Sequence, residues 1–176
     1  AVQPRPAPSS CEECSWHPPS GINPPGTGHA RMVDVGAKMP TVRMARAEAV
    51  VHLGEKIAEL LSRTGVVSKG NVVETARIAG IMAAKRTPDL IPLCHPIALT
   101  HVSIDFDLDP DASAIRCQAR AETRGPTGVE MEALTGASVA ALTVYDMLKA
   151  VDRAMDIGGL RVTLKDGGKS GRFEAE

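Results

Sequence analysis

The sequence predicts an α+β domain built on one antiparallel sheet, and three observations predict it. Val102, Ile104, Phe106 and Leu108 alternate with Ser103, Asp105 and Asp107. After the turn residues Asp109, Pro110 and Asp111, Ile115, Cys117, Ala119 and Ala121 alternate with Arg116, Gln118, Arg120 and Glu122. Period two with one apolar face on both sides of a turn describes an antiparallel hairpin packed on helices. Next, residues 125–151 (GPTGVEMEALTGASVAALTVYDMLKAV) open on a Gly/Pro turn and continue as one long helix. Finally, the element order is strand, helices, two strands, helix, strand. That is the split βαβ arrangement of a ferredoxin-like α/β sandwich, an antiparallel sheet with helices packed on one face.

Taken in order, residues 1–29 form a separate extension. Seven prolines fall between Pro4 and Pro25, among Ser, Gly and Asn and without apolar periodicity, so little regular structure is expected there. Cys11 and Cys14, with His17 nearby, make half a zinc site, but no second ligand pair is spaced to complete it. Ser15 stands where a haem attachment motif needs His, and no metal is expected. The folded domain is expected over 30–176. Met32–Val35 reads as a short strand, closed by Gly36 and Pro40. Over 41–53, Val42, Met44, Ala49, Val51 and Leu53 permit a second strand, although the Ala and Glu content leaves helix open. Residues 55–63 form an amphipathic helix with Ile57, Leu60 and Leu61 on one side, ended by Gly65. Residues 69–86 read as a longer helix rich in small residues (Ala76, Ala79, Gly80, Ala83, Ala84), stopped by Pro88. An apolar loop, Leu90 to Pro96, leads to the hairpin. After the long helix, Leu160–Leu164 makes a last strand before a Gly/Lys-rich tail.

Composition narrows the function. The 176 residues suffice for one domain with a real core, and the formal charge of −1 offers nothing global to nucleic acid or a membrane surface. Aromatic residues are only 2%, too few for a platform that stacks bases. No apolar run spans a bilayer, no signal-peptide pattern opens the chain, and four cysteines are too scattered for a disulfide scaffold. A soluble, cytoplasmic protein is the expectation.

Chemistry has to come from polar residues at element ends. Glu130 and Glu132 flank Met131 in the first turn of the long helix, where the dipole favours acids. Asp146 and Lys149, spaced i, i+3, share a face near its end; the plain alternative is a surface ion pair. Lys69 begins a helix, where a cation is not what the dipole prefers. His95 follows Cys94 in the apolar loop, either as a buried, hydrogen-bonded histidine or as a ligand contact. Cys94 as a nucleophile would need a base that the sequence does not identify. The tail from Lys165 to Gly171 is basic and glycine-rich but lacks the spacing of a P-loop. The middle of the long helix (Gly136, Ala137, Ser138, Ala140, Ala141) requires something to approach closely: the sheet, another helix or a second subunit.

Together Met32–Val35, Ala76–Ile81, Ala84–Thr87, Leu90–Pro96 (LIPLCHP), Thr127–Leu134 (TGVEMEAL), Val139–Met147 and Gly167–Gly171 resemble the cyclic pyranopterin monophosphate synthases of molybdenum cofactor biosynthesis, the MoaC family. The resemblance runs from about Met32 to Phe173 and leaves out the first thirty residues. It implies a ferredoxin-like subunit in a homohexamer, a trimer of dimers, with sites where subunits meet. It implies conversion of 3′,8-cyclo-7,8-dihydro-GTP to cyclic pyranopterin monophosphate with release of pyrophosphate, a lyase reaction. No cofactor is required, and whether magnesium accompanies the triphosphate is left open. By matching strings it assigns catalysis to Asp146, Lys149 and Lys69, and substrate contacts to Leu93, Cys94, His95, Glu130, Met131 and Glu132. It puts Lys85, Lys165 and Lys169 near the triphosphate. Asn71 stands where Asp is more often expected after Lys-Gly. A ligand- or RNA-binding module without catalysis leaves the Glu130, Glu132, Asp146 and Lys149 set without a task. A metal-dependent phosphohydrolase lacks ligand motifs spaced for two ions.

Overall fold

The computed structural model describes residues 30–176. The Pro-rich extension with Cys11, Cys14 and His17 lies outside the described residues. The chain divides at Asp34/Val35 into two units, and the second carries all the described helices and strands. Met32–Val35 is not the strand that its apolar pattern suggests; residues 30–35 have no regular secondary structure. Four residues ending at a turn leave little room for register with a partner strand.

The chain enters the sheet at β1 (Thr41–His52), settling the strand-or-helix ambiguity in favour of strand. Its odd positions Ala45, Ala47, Ala49 and Val51 are buried. Val42 and Met44, of the opposite parity, point to the other face, and Val42 is 70% exposed. The strand therefore reads by the parity of its alanines. Helix α1 (Glu55–Arg63) buries Ile57, Ala58 and Leu61 and carries Glu55 and Arg63 at the ends its dipole favours. A small hairpin follows, β2 (Val66–Val67) and β3 (Gly70–Asn71), turning through Ser68 and Lys69 with Gly70 at φ 116°. Lys69 thus sits in a hairpin turn and does not begin the next helix. Helix α2 (Val72–Lys85) is capped by Asn71, whose Oδ1 accepts the Glu74 N–H at 2.9 Å. The amide does here what an aspartate would do. Pro88 does not merely stop a helix: it opens the one-turn α3 (Thr87–Leu90).

The hairpin is β4 (Leu99–Asp109) and β5 (Ala114–Gly125), joined in antiparallel register from Asp109↔Ala114. Helix α4 (Glu130–Leu148) then crosses the sheet. Strand β6 (Asp156–Asp166) is longer than its Leu160–Leu164 core suggests, and β7 (Phe173–Glu174) adds an edge strand from what reads as tail. The sheet order is β4-β5-β1-β6-β7, with every neighbouring pair antiparallel. Its first four strands have the ferredoxin-like order, and α2 and α4 pack on one face.

The core is built from small side chains. Ala76, Ala83, Ala84, Ala119, Ala121, Ala133, Ala137, Ala140 and Ala141 are buried around Ile57, Ile104, Ile115 and Leu148. Where α2 crosses α4, a methyl group on Gly80 would lie 2.9 Å from the Gly136 carbonyl oxygen and 2.9 Å from Ile104. The small residues of α4 are thus covered within the chain, by α2 and by the sheet. No helix among the described residues is long and apolar enough to cross a membrane.

Candidate active site

Asp146 lies at the C-terminal end of α4, and two lysines converge on it. Lys149, the C-cap residue, places Nζ 2.7 Å from Oδ1. Lys69, 77 residues away in sequence, places Nζ 2.9 Å from Oδ2 and donates to the Asp146 carbonyl oxygen at 2.8 Å. The β2–β3 hairpin exists to make that reach: its turn projects Lys69 across the end of α4. All three side chains are about half exposed, so a ligand can touch them. Hydrogen bonds from Lys149 and then Lys69 pull the Asp146 carboxyl down to about 2. Asp146 is therefore a fixed anion near neutral pH.

A second cluster gathers at the other end of α4. Glu132 is 3% exposed, and burial, with a smaller push from Glu130, raises its pKa against a backbone hydrogen bond that lowers it. Burial and the Glu132 charge both push the Cys94 thiol up, so Cys94 lies within electrostatic range of this end of the helix. A raised thiol stays protonated near neutral pH, so Cys94 is not an activated nucleophile. The loop is held by its own Cys94 N–H to Ile91 carbonyl bond of 3.0 Å and by Thr123 Oγ1 donating to the Ala98 carbonyl at 2.7 Å. His95 is half-buried, while Leu93 and Met131 are exposed at 48% and 36%. Glu130 meets Lys165 Nζ at 3.5 Å, and Lys165 also donates to Ser170 Oγ at 3.3 Å. Lys85, the last residue of α2, and Lys169 are exposed. Among the described residues no group of three or more His, Cys, Asp or Glu is placed to hold a metal ion.

Arg43 is a residue that sequence reasoning missed. Its Nε donates to the Gly125 carbonyl at 3.1 Å and its NH2 to the Pro126 carbonyl at 3.2 Å, tying β1 to the turn before α4. A methyl group on Gly168 would meet this guanidinium and could be accommodated only by displacing the Arg43 side chain. Arg43, Thr127, Gly128, Glu130, Lys165 and Ser170 line a cavity of about 210 Å³. The available signal was Gly167-Gly168, since paired glycines mark close approach of backbone to something.

The two clusters do not meet within one chain. Sixteen residues of helix separate Glu130 from Asp146, which at 1.5 Å per residue is about 24 Å. Groups that exchange protons with one substrate atom lie within about 3 Å of it, or one water further. One end of α4 supplies a carboxylate gripped by two ammonium groups; the other supplies a buried acid, a thiol, an imidazole and a cation.

Comparison with known proteins identifies the family. Residues 32–168 match the MoaC family. A cyclic pyranopterin monophosphate synthase of Roseiflexus castenholzii is 57% identical over 150 residues, covering 85% of this chain and 94% of that protein. One of Methylobacterium nodulans is 54% identical over 158 residues, 90% and 98% of the two chains, and one of Brucella ovis is 56% identical over 145 residues, 82% and 87%. With the family matched across most of its length and these relatives above half identity, this chain belongs to the MoaC family.

Proposed function

We propose that this protein is a cyclic pyranopterin monophosphate synthase: it rearranges 3′,8-cyclo-7,8-dihydro-GTP to cyclic pyranopterin monophosphate and releases pyrophosphate. The observation that carries the reading is the Lys69–Asp146–Lys149 triangle. Opening and re-closing a purine ring needs repeated proton transfers. Asp146, held ionised, orients both ammonium groups, and the ammonium groups carry the protons. Glu132, buried and with its pKa raised, is suited to gain and lose a proton nearer neutrality than an exposed carboxyl. Leu93, Cys94, Glu130 and Met131 contact the base and the ribose-derived part. Cyclising the phosphate displaces pyrophosphate at the α-phosphorus, and Lys85, Lys165 and Lys169 stabilise the charge that builds on the leaving group. The chain needs no resident cofactor, and magnesium, where present, accompanies the triphosphate. The setting is the cytoplasm.

The separation of about 24 Å along α4 supports a further part of the proposal. One site holds both clusters only if a second copy brings its own end of α4, so the active unit is at least a dimer, within a hexamer arranged as a trimer of dimers. The test is incubation with the cyclised GTP derivative, with and without chelator. Pyrophosphate release that survives chelation supports the reading. Release of inorganic phosphate instead, abolished by chelator, would identify a metal-dependent hydrolase.

A further inference from the structure

The sheet face turned away from the helices carries a groove of about 490 Å³ that the reaction above does not use. Strand register sets its middle row: Ser103 on β4 stands opposite Arg120 on β5, and Arg120 stands opposite Arg46 on β1. Two arginines facing each other on neighbouring strands repel, and like charges in that position are destabilising. The acids around the groove are paired with arginines other than Arg46. Glu48 lies 2.9 Å from Arg161 and 3.8 Å from Arg116; Asp105 meets Arg77 at 3.7 Å; Glu174 meets Arg172 at 2.8 Å. Glu122 takes the Arg120 NH2 at 2.5 Å. That leaves the Arg46 side chain without a hydrogen bond or ion pair among the described residues. It also leaves the Arg120 Nε buried without an acceptor.

We propose that this groove binds a small tetrahedral oxyanion of the phosphate class between the guanidinium groups of Arg46 and Arg120. Two guanidinium groups facing each other on neighbouring strands cost free energy, and one anion in the middle row relieves that repulsion. The class follows from counting acceptors. A carboxylate pairs bidentately with one guanidinium fork through both of its oxygens, so a second guanidinium can meet it only by sharing those same two atoms. A tetrahedral oxyanion can take the Arg46 fork, accept from the guanidinium of Arg120 opposite, and still offer an oxygen to the Ser103 or Thr163 hydroxyl, both of which line the groove. The groove lies across the sheet from α4, so its occupancy is separable from the candidate active site.

The test uses the full chain and inorganic phosphate. Calorimetric titration of wild type, Arg46→Gln and Lys165→Ala is read beside a tungstate-soaked wild-type crystal. The expected result is an anomalous peak between Arg46 and Arg120. Phosphate binding should weaken about tenfold or more in Arg46→Gln, with its melting temperature and turnover near wild type, since charge-assisted guanidinium contacts are the strong ones. The groove component should persist in Lys165→Ala. Tungstate found only beside Lys165, or phosphate binding unchanged by Arg46→Gln, would overturn the proposal. So would an Arg46→Gln protein whose oligomer falls apart with phosphate binding intact, because a second copy's carboxylate would then be the occupant.

Discussion

Two inactive variants of this protein should rescue each other. Lys149→Ala removes one arm of the cluster at the C-terminal end of α4, and Glu132→Gln neutralises the buried acid at the other end. If each site draws these ends from different subunits, every site in either pure variant carries a lesion. In a mixed dimer one site carries both lesions and the other carries none. Equal amounts paired at random make half the dimers mixed, so about one quarter of wild-type turnover returns. The assay is pyrophosphate release after co-refolding or co-expression, with native mass spectrometry showing that both chains share an oligomer. A demonstrably mixed sample that stays at the sum of its parents would refute the reasoning: both clusters would then serve one chain, despite the 24 Å or so along the helix.

Three other outcomes follow from the same geometry. Lys149→Ala should melt close to wild type, because its partner pair is exposed, and turn over about 10²-fold or more slowly. In that variant the Asp146 carboxyl loses its largest depressing contact and should titrate higher by carbon NMR. The linkage has the sign of a lowered carboxyl: any stability it contributes is present above the ordinary 3.8 and disappears as pH falls toward about 2. Glu132 has the opposite sign, since a raised folded pKa makes the ionised form a burden that grows as pH rises past the ordinary value. Glu132→Gln should therefore raise the melting temperature at neutral pH while lowering turnover; a fall in melting temperature would count against it. Gly80→Ala should destabilise by about 1–3 kcal/mol in denaturant titration, because the added methyl meets backbone and Ile104 at 2.9 Å.

Much of this protein is legible in one dimension. The alternation from Val102 to Ala121 announces the β4–β5 hairpin, because pleated strands have a local period that needs no knowledge of the partner. The small residues of α4 announce a close approach, and the strings around LCHP and GVEMEA carry the family. Local pattern fails where pairing is distant or short. Met32–Val35 has the residues of a strand without a register to join, and β7 has two residues whose only reason to be a strand is the edge of β6. Val42 and Met44 look like core positions, yet β1 buries the opposite parity, Ala45, Ala47, Ala49 and Val51, against the helices.

The site divides along the same line. Sequence alone determines that Asp146 and Lys149 share a helical face, since i, i+3 spacing follows from 3.6 residues per turn. Only the tertiary structure decides that Lys69 joins them, because a contact across 77 residues depends on where a hairpin turn is carried by the packing of α1 and α2. Only the tertiary structure decides that Cys94 and Glu132 are electrostatic neighbours, and that Arg43 clamps the turn before α4. Periodicity reports which face of an element is apolar; which end of one element meets another is set by the length and crossing of the helices on the sheet, and no local pattern carries it.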